Sequence, residues 1–334
     1  MKHRRYIIPV GKGGFAIEMI NEDYVVAYDC GSSSSPEMVE QSIDCLCRFI
    51  NHIDILFISH FDKDHVNGVR YLLNTLTVRQ AVTPFIPELL RAAYGMYTNG
   101  SYSAIMNLLR GDEVETIEVG GQEDAADHFS FKSIWEWVAK SMMTNADFSK
   151  IKEYITGAGL NLDWLSDADY VERNKLLINK AFETVFGSKG PNSKGLIMLS
   201  QPSKGTITKG ADVIVGACPY AHSTIIAHKM ESSCLFVGDA DLKNIKNRKA
   251  VIRFWADKRT EGRLLLMQIP HHGSRYNLGS NLDNDYPAHY YFLNDVNTNR
   301  LQKTNGLYLR LTNSGILLVS GATCRGLILS VTAI

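Results

Sequence analysis

Short apolar runs broken by glycine-rich or acidic turns dominate the first third of the chain. Tyr6-Ile7-Ile8-Pro9-Val10 gives way to Gly11-Lys12-Gly13-Gly14, and then to Phe15-Ala16-Ile17-Glu18-Met19-Ile20. Tyr24-Val25-Val26-Ala27-Tyr28 follows after Asn21-Glu22-Asp23. Runs of this length between turn formers predict strands. The third run ends in Asp29-Cys30-Gly31 and a cluster of serines, a turn rich in side-chain acceptors. Met38, Val39, Ile43, Leu46, Phe49 and Ile50 recur at helical spacing and predict an amphipathic helix over residues 36–51. Ile53-Asp54-Ile55-Leu56-Phe57-Ile58 then reads as a buried strand that delivers the chain into Ser59-His60.

From about residue 85 to 190 the pattern changes. Ile134-Trp135-Trp137-Val138 and Leu176-Leu177-Ile178-Ala181-Phe182-Val185-Phe186 sit at helical spacing, which predicts a largely helical insertion. Strand-like runs return at 195–199, 213–215, 224–226, 234–237, 264–269, 290–293 and 315–319. Two strand-rich blocks around a helical middle imply a layered α/β or α+β fold, read as a single domain over 1–334 with residues 85–190 inserted in it.

Composition narrows the function classes. The 334 residues are 45% hydrophobic, and 35 basic side chains balance 35 acidic ones for a formal net charge of zero. That balance argues against coating nucleic acid through a uniformly basic surface, although it says nothing of a local groove. No apolar run reaches the ~18–20 residues that span a bilayer, and the first residues lack the long apolar stretch of an export signal. The six cysteines (Cys30, Cys45, Cys47, Cys218, Cys234 and Cys324) form no Cys-x-x-Cys pair, so reduced thiols and a cytoplasmic location are the expectation.

The chemistry concentrates at strand ends. His60-Phe61-Asp62-Lys63-Asp64-His65 packs four potential metal ligands into six residues directly after an apolar strand. Two imidazoles with two carboxylates suit zinc, manganese or iron. The competing reading is a solvated polar loop in which Lys63 neutralises one aspartate. Leu235-Phe236-Val237-Gly238-Asp239 places another carboxylate just after a buried strand, as a metal ligand or as a turn cap. Gln268-Ile269-Pro270-His271-His272-Gly273-Ser274 ends a third apolar strand in adjacent histidines. Adjacent residues of an extended chain point to opposite sides, so only one of the pair is expected to face a given metal.

His60-x-Asp62-x-Asp64-His65, with Ser59 before it and Asn67-Gly68 after it, resembles the signature of the metallo-β-lactamase-fold hydrolases. Asp62 stands where the usual signature has His. That variant is similar to the hydrolase domain of bacterial DNA-uptake channel proteins, as are Val10-Gly11-Lys12-Gly13, Asp29-Cys30-Gly31, Gly238-Asp239 and His271 to Ser274. The chain departs from that subgroup at Tyr220-Ala221-His222, and at 294–299, where it carries no Gly-His-Pro element. The resemblance implies an αββα sandwich with one or two divalent metal ions, zinc favoured and manganese the alternative. It implies His60 and Asp62 toward one metal and Asp64 and His65 toward the other. Asp239 would bridge them, His271 or His272 would complete the second site, and His222 (with His228 as the weaker candidate) would supply a further ligand.

The expected reaction is hydrolysis of a phosphodiester, with DNA, RNA or a nucleotide as substrate. Hydroxide forms at neutral pH because a metal lowers the pKa of bound water to roughly 7. Asp64 or Asp239 would orient the nucleophile, and a histidine of the His271-His272 pair would stabilise developing charge. Lys12, Lys63, Ser274, Arg275 and Tyr276 flank these motifs as candidate contacts to phosphate or base. Two alternatives remain: hydrolysis of a lactone, thioester or phosphocholine ester, or a binding module of the same fold without catalysis. The insertion is expected to shape the substrate entrance or to meet a protein partner.

Overall fold

The computed structural model describes residues 2–120, 126–206, 211–215, 224–228, 231–279, 281–294, 316–319 and 327–328. Two eight-stranded sheets lie against each other. The strands are β1 (His3–Ile7), β2 (Gly13–Ile20), β3 (Tyr24–Ser32), β4 (His52–Phe57), β5 (Thr77–Pro84), β6 (Glu115–Val119), β7 (Asp127–Phe131) and β8 (Trp135–Ser141). They continue with β9 (Leu196–Pro202), β10 (Ala211–Val215), β11 (Thr224–His228), β12 (Cys234–Phe236), β13 (Leu264–Gln268), β14 (Ala288–Asn294), β15 (Ile316–Val319) and β16 (Leu327–Ile328). One sheet runs β11-β10-β1-β2-β3-β4-β5-β6 and the other β16-β15-β14-β13-β12-β9-β8-β7.

The apolar runs are continuous because most central strands are covered on both faces. Ala16, Val26, Tyr28, Ile55 and Phe57 from the first sheet meet Trp135, Trp137, Leu196, Met198, Phe236 and Phe292 from the second in a shared core. Alternate residues of the first sheet (Phe15, Ile17, Val25, Ala27 and Leu56) face the helices α1 (Pro36–Leu46), α3 (Val69–Thr75), α4 (Arg91–Tyr97), α5 (Ser101–Gly111), α6 (Asn145–Gly157) and α8 (Lys175–Phe186). The outer face of the second sheet (Ile197, Leu199, Leu235 and Met267) packs on α9 (Ile245–Lys258) and α10 (Leu282–Asp285). The layers are therefore α, β, β, α, the expected sandwich. A polar network is sealed between the sheets: the Arg5 guanidinium lies 2.5 Å from Glu18, whose carboxylate also accepts from Trp137 Nε1 and Ser200 Oγ, each at 2.6 Å.

Residues 85–190 require a correction. Helices fill 91–111 and 145–186, with α7 (Ala168–Arg173) among them, but β6, β7 and β8 lie between and extend both sheets. Trp135 and Trp137 belong to β8, where both face the inter-sheet core while Val138 faces outward. Spacings of two and three residues satisfy a strand as well as a helix, and the fully buried indoles settle on period two. The helix expected over 36–51 ends at Leu46.

Candidate metal centre

Parallel pairing of β3 with β4, and of β12 with β13, aligns the carboxyl ends of these strands. The loops that leave β4, β12 and β13 carry the chemistry, as is general for sites at the carboxyl ends of open sheets. The first loop runs through Ser59 and His60 into the short helix α2 (Lys63–Val66). Close packing holds it down. A Cβ on Gly31 would stand 2.6 Å from backbone atoms of His65 and Val66, and one on Gly14 would stand 2.8 Å from His65 Nδ1. Only a bare backbone lets the two turns approach so closely.

The second and third loops are locked to each other. The Gln268 side-chain oxygen accepts from the backbone N–H of Val237 (2.9 Å) and Gly238 (2.8 Å), and His271 N–H donates to the Gly238 carbonyl (3.1 Å). Gly238 itself has φ +49. His271 (φ 49) and His272 (φ 50) are both left-handed, a strained state for two consecutive non-glycine residues. The chain is therefore a tight turn here, not an extended strand end, and both imidazoles face Asp239. His271 Nδ1 is 3.2 Å from Asp239 Oδ2, and His272 Nε2 is 3.9 Å from Oδ1. Of the pair, only His272 belongs to a donor group able to hold a cation among the described residues; His271 belongs to neither group.

Around Asp239 the side chains converge. His65 Nε2 lies 3.3 Å from Asp239 Oδ1, His60 Nε2 lies 3.7 Å from Oδ2, and His272 Nε2 lies 3.3 Å from Asp64 Oδ2. Two groups could hold a cation among the described residues: His60 with His65 and Asp239, and Asp64 with His65 and His272, the donor atoms of each within 4.8 Å of one another. His60 Nε2, His65 Nε2 and Asp239 Oδ1 are buried with no hydrogen-bond partner among the described residues. Buried polar atoms are normally paired, so this donor set fits a divalent cation. Each ring is oriented through its other nitrogen: Asp29 Oδ2 shares a 2.7 Å hydrogen bond with His65 Nδ1, and Ser59 Oγ shares one of 2.9 Å with His60 Nδ1. With Nδ1 engaged, His65 has one nitrogen left, so the two groups cannot both be filled in full.

The electrostatics follow from this crowding. Burial resists charge on Asp239, yet His65, His60 and His271 together hold its pKa well below the usual carboxylate range. Burial likewise opposes ionisation of Asp64, which His272 and His65 reverse, so its pKa is also lowered. His65 is disfavoured as a cation by burial, but Asp29 and Asp239 outweigh this and raise its pKa well above the ordinary value. Burial, then the His65 charge, lowers that of His60.

The remaining sequence candidates fall around this centre or outside it. Asp62 belongs to neither group, and its Oδ2 accepts a hydrogen bond from the Asn192 amide. Lys63 is exposed on α2, and Lys12 sits in the turn whose backbone N–H donates to Ser34 Oγ at 2.9 Å. Ser274 closes the histidine turn, its N–H donating to the His271 carbonyl at 2.9 Å. Beyond it the Arg275 guanidinium stacks over the exposed Tyr276 ring, 4.9 Å from its centroid. His222 lies outside the described residues, and so does the side chain of His228. Residues that the sequence did not nominate are Asp29 and Ser59, Gln268, Asn192, and Asn277, whose side chain donates to the Asp239 carbonyl at 3.1 Å. The acceptor-rich turn at Asp29 was a signal for the first of them.

No protein-family model matches the chain, and no curated protein does. Among solved structures it is similar to a peroxy diiron species of the chemotaxis sensor ODP, at 17% identity over 38% of this chain and 43% of that one, with a TM-score of 0.25. It is similar to an E377D mutant of the CmlA β-hydroxylase at 10% identity over 94% of this chain and 51% of that one, with a TM-score of 0.43. A HARLDQ-motif mutant of a metallo-β-lactamase from Cronobacter sakazakii is 12% identical over 91% of this chain and 89% of that one, with a TM-score of 0.35. The chain thus spans less than half the length of the first of these structures and about half that of the second.

Proposed function

We propose that this chain is a metal-dependent hydrolase whose cation sits among His60, His65, Asp239, Asp64 and His272. The observation that carries this reading is the convergence of His60 Nε2, His65 Nε2 and Asp239 Oδ1, buried and without hydrogen-bond partners among the described residues. Their contacts are with one another, at 3.3 and 3.7 Å, and a buried polar atom without a hydrogen bond costs on the order of 1–3 kcal/mol, which a cation would relieve for all three. Imidazole and carboxylate donors favour zinc, with manganese the alternative. When bound, a divalent ion supplies Lewis-acid chemistry and lowers the pKa of a coordinated water to roughly 7. Asp29 and Ser59 fix the rings. Asp64, held ionised by His272 and His65, serves to orient a nucleophilic water. His271 is about a third exposed, and burial lowers its pKa, so at neutral pH it offers a neutral imidazole that can donate a hydrogen bond to developing charge.

The bond we propose is a phosphodiester of a nucleotide or nucleic acid. In support stand the Arg275–Tyr276 stack beside the histidine turn, which offers a cation and an exposed aromatic face, and the exposed Lys63 on the metal-binding loop. The motif similarity to DNA-uptake hydrolase domains points the same way. A panel of substrates on zinc- or manganese-loaded protein tests this choice. Turnover of bis-p-nitrophenyl phosphate or DNA is expected, and turnover of lactones or thioesters alone would replace it with the ester reading.

A further inference from the structure

Burial raises the pKa of Asp62 and the charges of His60, Asp64 and Asp239 act on it, yet its hydrogen bond leads away from them. Asp62 occupies the N-cap of α2, where an aspartate side chain ordinarily accepts a hydrogen bond from an early helical N–H, yet it makes no such bond. It belongs to neither His/Asp group able to hold a cation. Its Oδ2 accepts instead from the Asn192 amide. Asn192 lies in the turn Pro191–Lys194, which follows the insertion and precedes β9. That turn is anchored on two sides. The Tyr97 hydroxyl lies 2.7 Å from where a Cβ on Gly190 (φ +64) would stand. The Ser193 carbonyl accepts from the Asp241 N–H (3.1 Å) and the Asn247 side chain (3.3 Å), on the loop that follows Asp239 and at the start of α9.

We propose that Asp62 faces the substrate and is not a metal ligand, and that Asn192 is the positioning residue that orients its carboxylate. This rests on the metal centre proposed above. With Asn192 on one oxygen, Asp62 keeps the other as an acceptor. A carboxylate there repels a second phosphate and accepts from an uncharged donor, such as a sugar hydroxyl beside the scissile bond. The turn that follows the insertion would then contribute to substrate choice, through Asn192, without contributing to metal binding.

Cobalt and zinc titrations of the full chain, followed by calorimetry and by the cobalt absorption spectrum, separate the two roles. Asp62→Asn and Asn192→Ala are expected to keep the metal stoichiometry of wild type and its affinity within about threefold, while Asp64→Asn loses at least about tenfold. A loss of about tenfold or more in Asp62→Asn, or a changed cobalt spectrum, overturns the proposal. Should Asp62→Asn fail to fold, Asn192→Ala decides, because removing the partner of a true ligand costs about 10–100-fold in affinity. On the substrate side, wild type should prefer a ribodinucleotide over its deoxy counterpart by about tenfold in kcat/KM, and Asn192→Ala should erase most of that preference. Equal use of both by wild type overturns the substrate-facing role. Turnover of neither ends the phosphodiesterase reading, while the metal titrations still decide where Asp62 belongs.

Discussion

Asp29 illustrates how much of this centre is built by residues that never reach the cation. One carboxylate oxygen accepts from the Ser59 N–H at 2.7 Å, and the other takes Ser59 Oγ and His65 Nδ1 at the same distance. Asp29→Asn would keep the volume but lose an acceptor that sets the tautomer of His65. We expect metal affinity to fall about 10–100-fold, as outer-sphere changes do. Calorimetric titration checks this, and unchanged affinity would remove Asp29 from the machinery. The dense His60–His65 segment, Asp239 and the His271-His272 pair were legible in the sequence because each follows an apolar strand. Asp29 was visible as an acceptor-rich turn and in the Asp29-Cys30-Gly31 motif, but its partnership with His65 was not, since it spans 36 residues. Both histidines turn toward Asp239 because two consecutive left-handed residues break the alternation of an extended chain. Pro270 and Gly273, which bracket them, are the turn signal in the sequence.

At the scale of elements, the strands that read most clearly are those with apolar residues on both faces, β2, β3, β4, β9 and β13. Strands β5, β6 and β7 carry polar and charged residues such as Arg79, Gln80, Glu115 and Asp127 and gave no apolar run. The tryptophans of β8 fitted either period, and only the facing sheet selects one. How closely β3 must approach α2 can be tested through glycine. Gly31→Ala inserts a Cβ 2.6 Å from the backbone of His65 and Val66. The overpacking should cost about 1–3 kcal/mol in chemical denaturation, and wild-type stability would mean that the loop yields freely. The sealed Arg5–Glu18 pair gives a second test. Arg5→Met leaves Glu18 buried beside Trp137 and Ser200 without its cation, which should cost about 3–5 kcal/mol. Adding Glu18→Met should recover much of that loss, and no recovery would mean that packing, not charge, holds the sheets there.

For the whole molecule, the two sheets and their outer helices form a frame that crowds carboxylates and imidazoles at one edge, and this ties its stability to pH and metal together. In chelator-treated protein, Asp29 and Asp239 hold the pKa of His65 well above its unfolded value of about 6.5. The stabilisation is fully present below that unfolded value and is lost as pH rises through the folded one. Melting temperature without metal should therefore fall as pH climbs above neutrality. A bound cation should flatten that dependence, because it replaces the proton on His65. A melting temperature in chelator that is flat or rising over this range would contradict the assignment. The central claim is that these side chains hold a metal, and elemental analysis of protein purified without chelator, before and after adding zinc or manganese, tests it most directly. The account predicts at least about one bound ion per chain, lost in a His65→Ala variant; substantially less than one ion per chain after loading would contradict it.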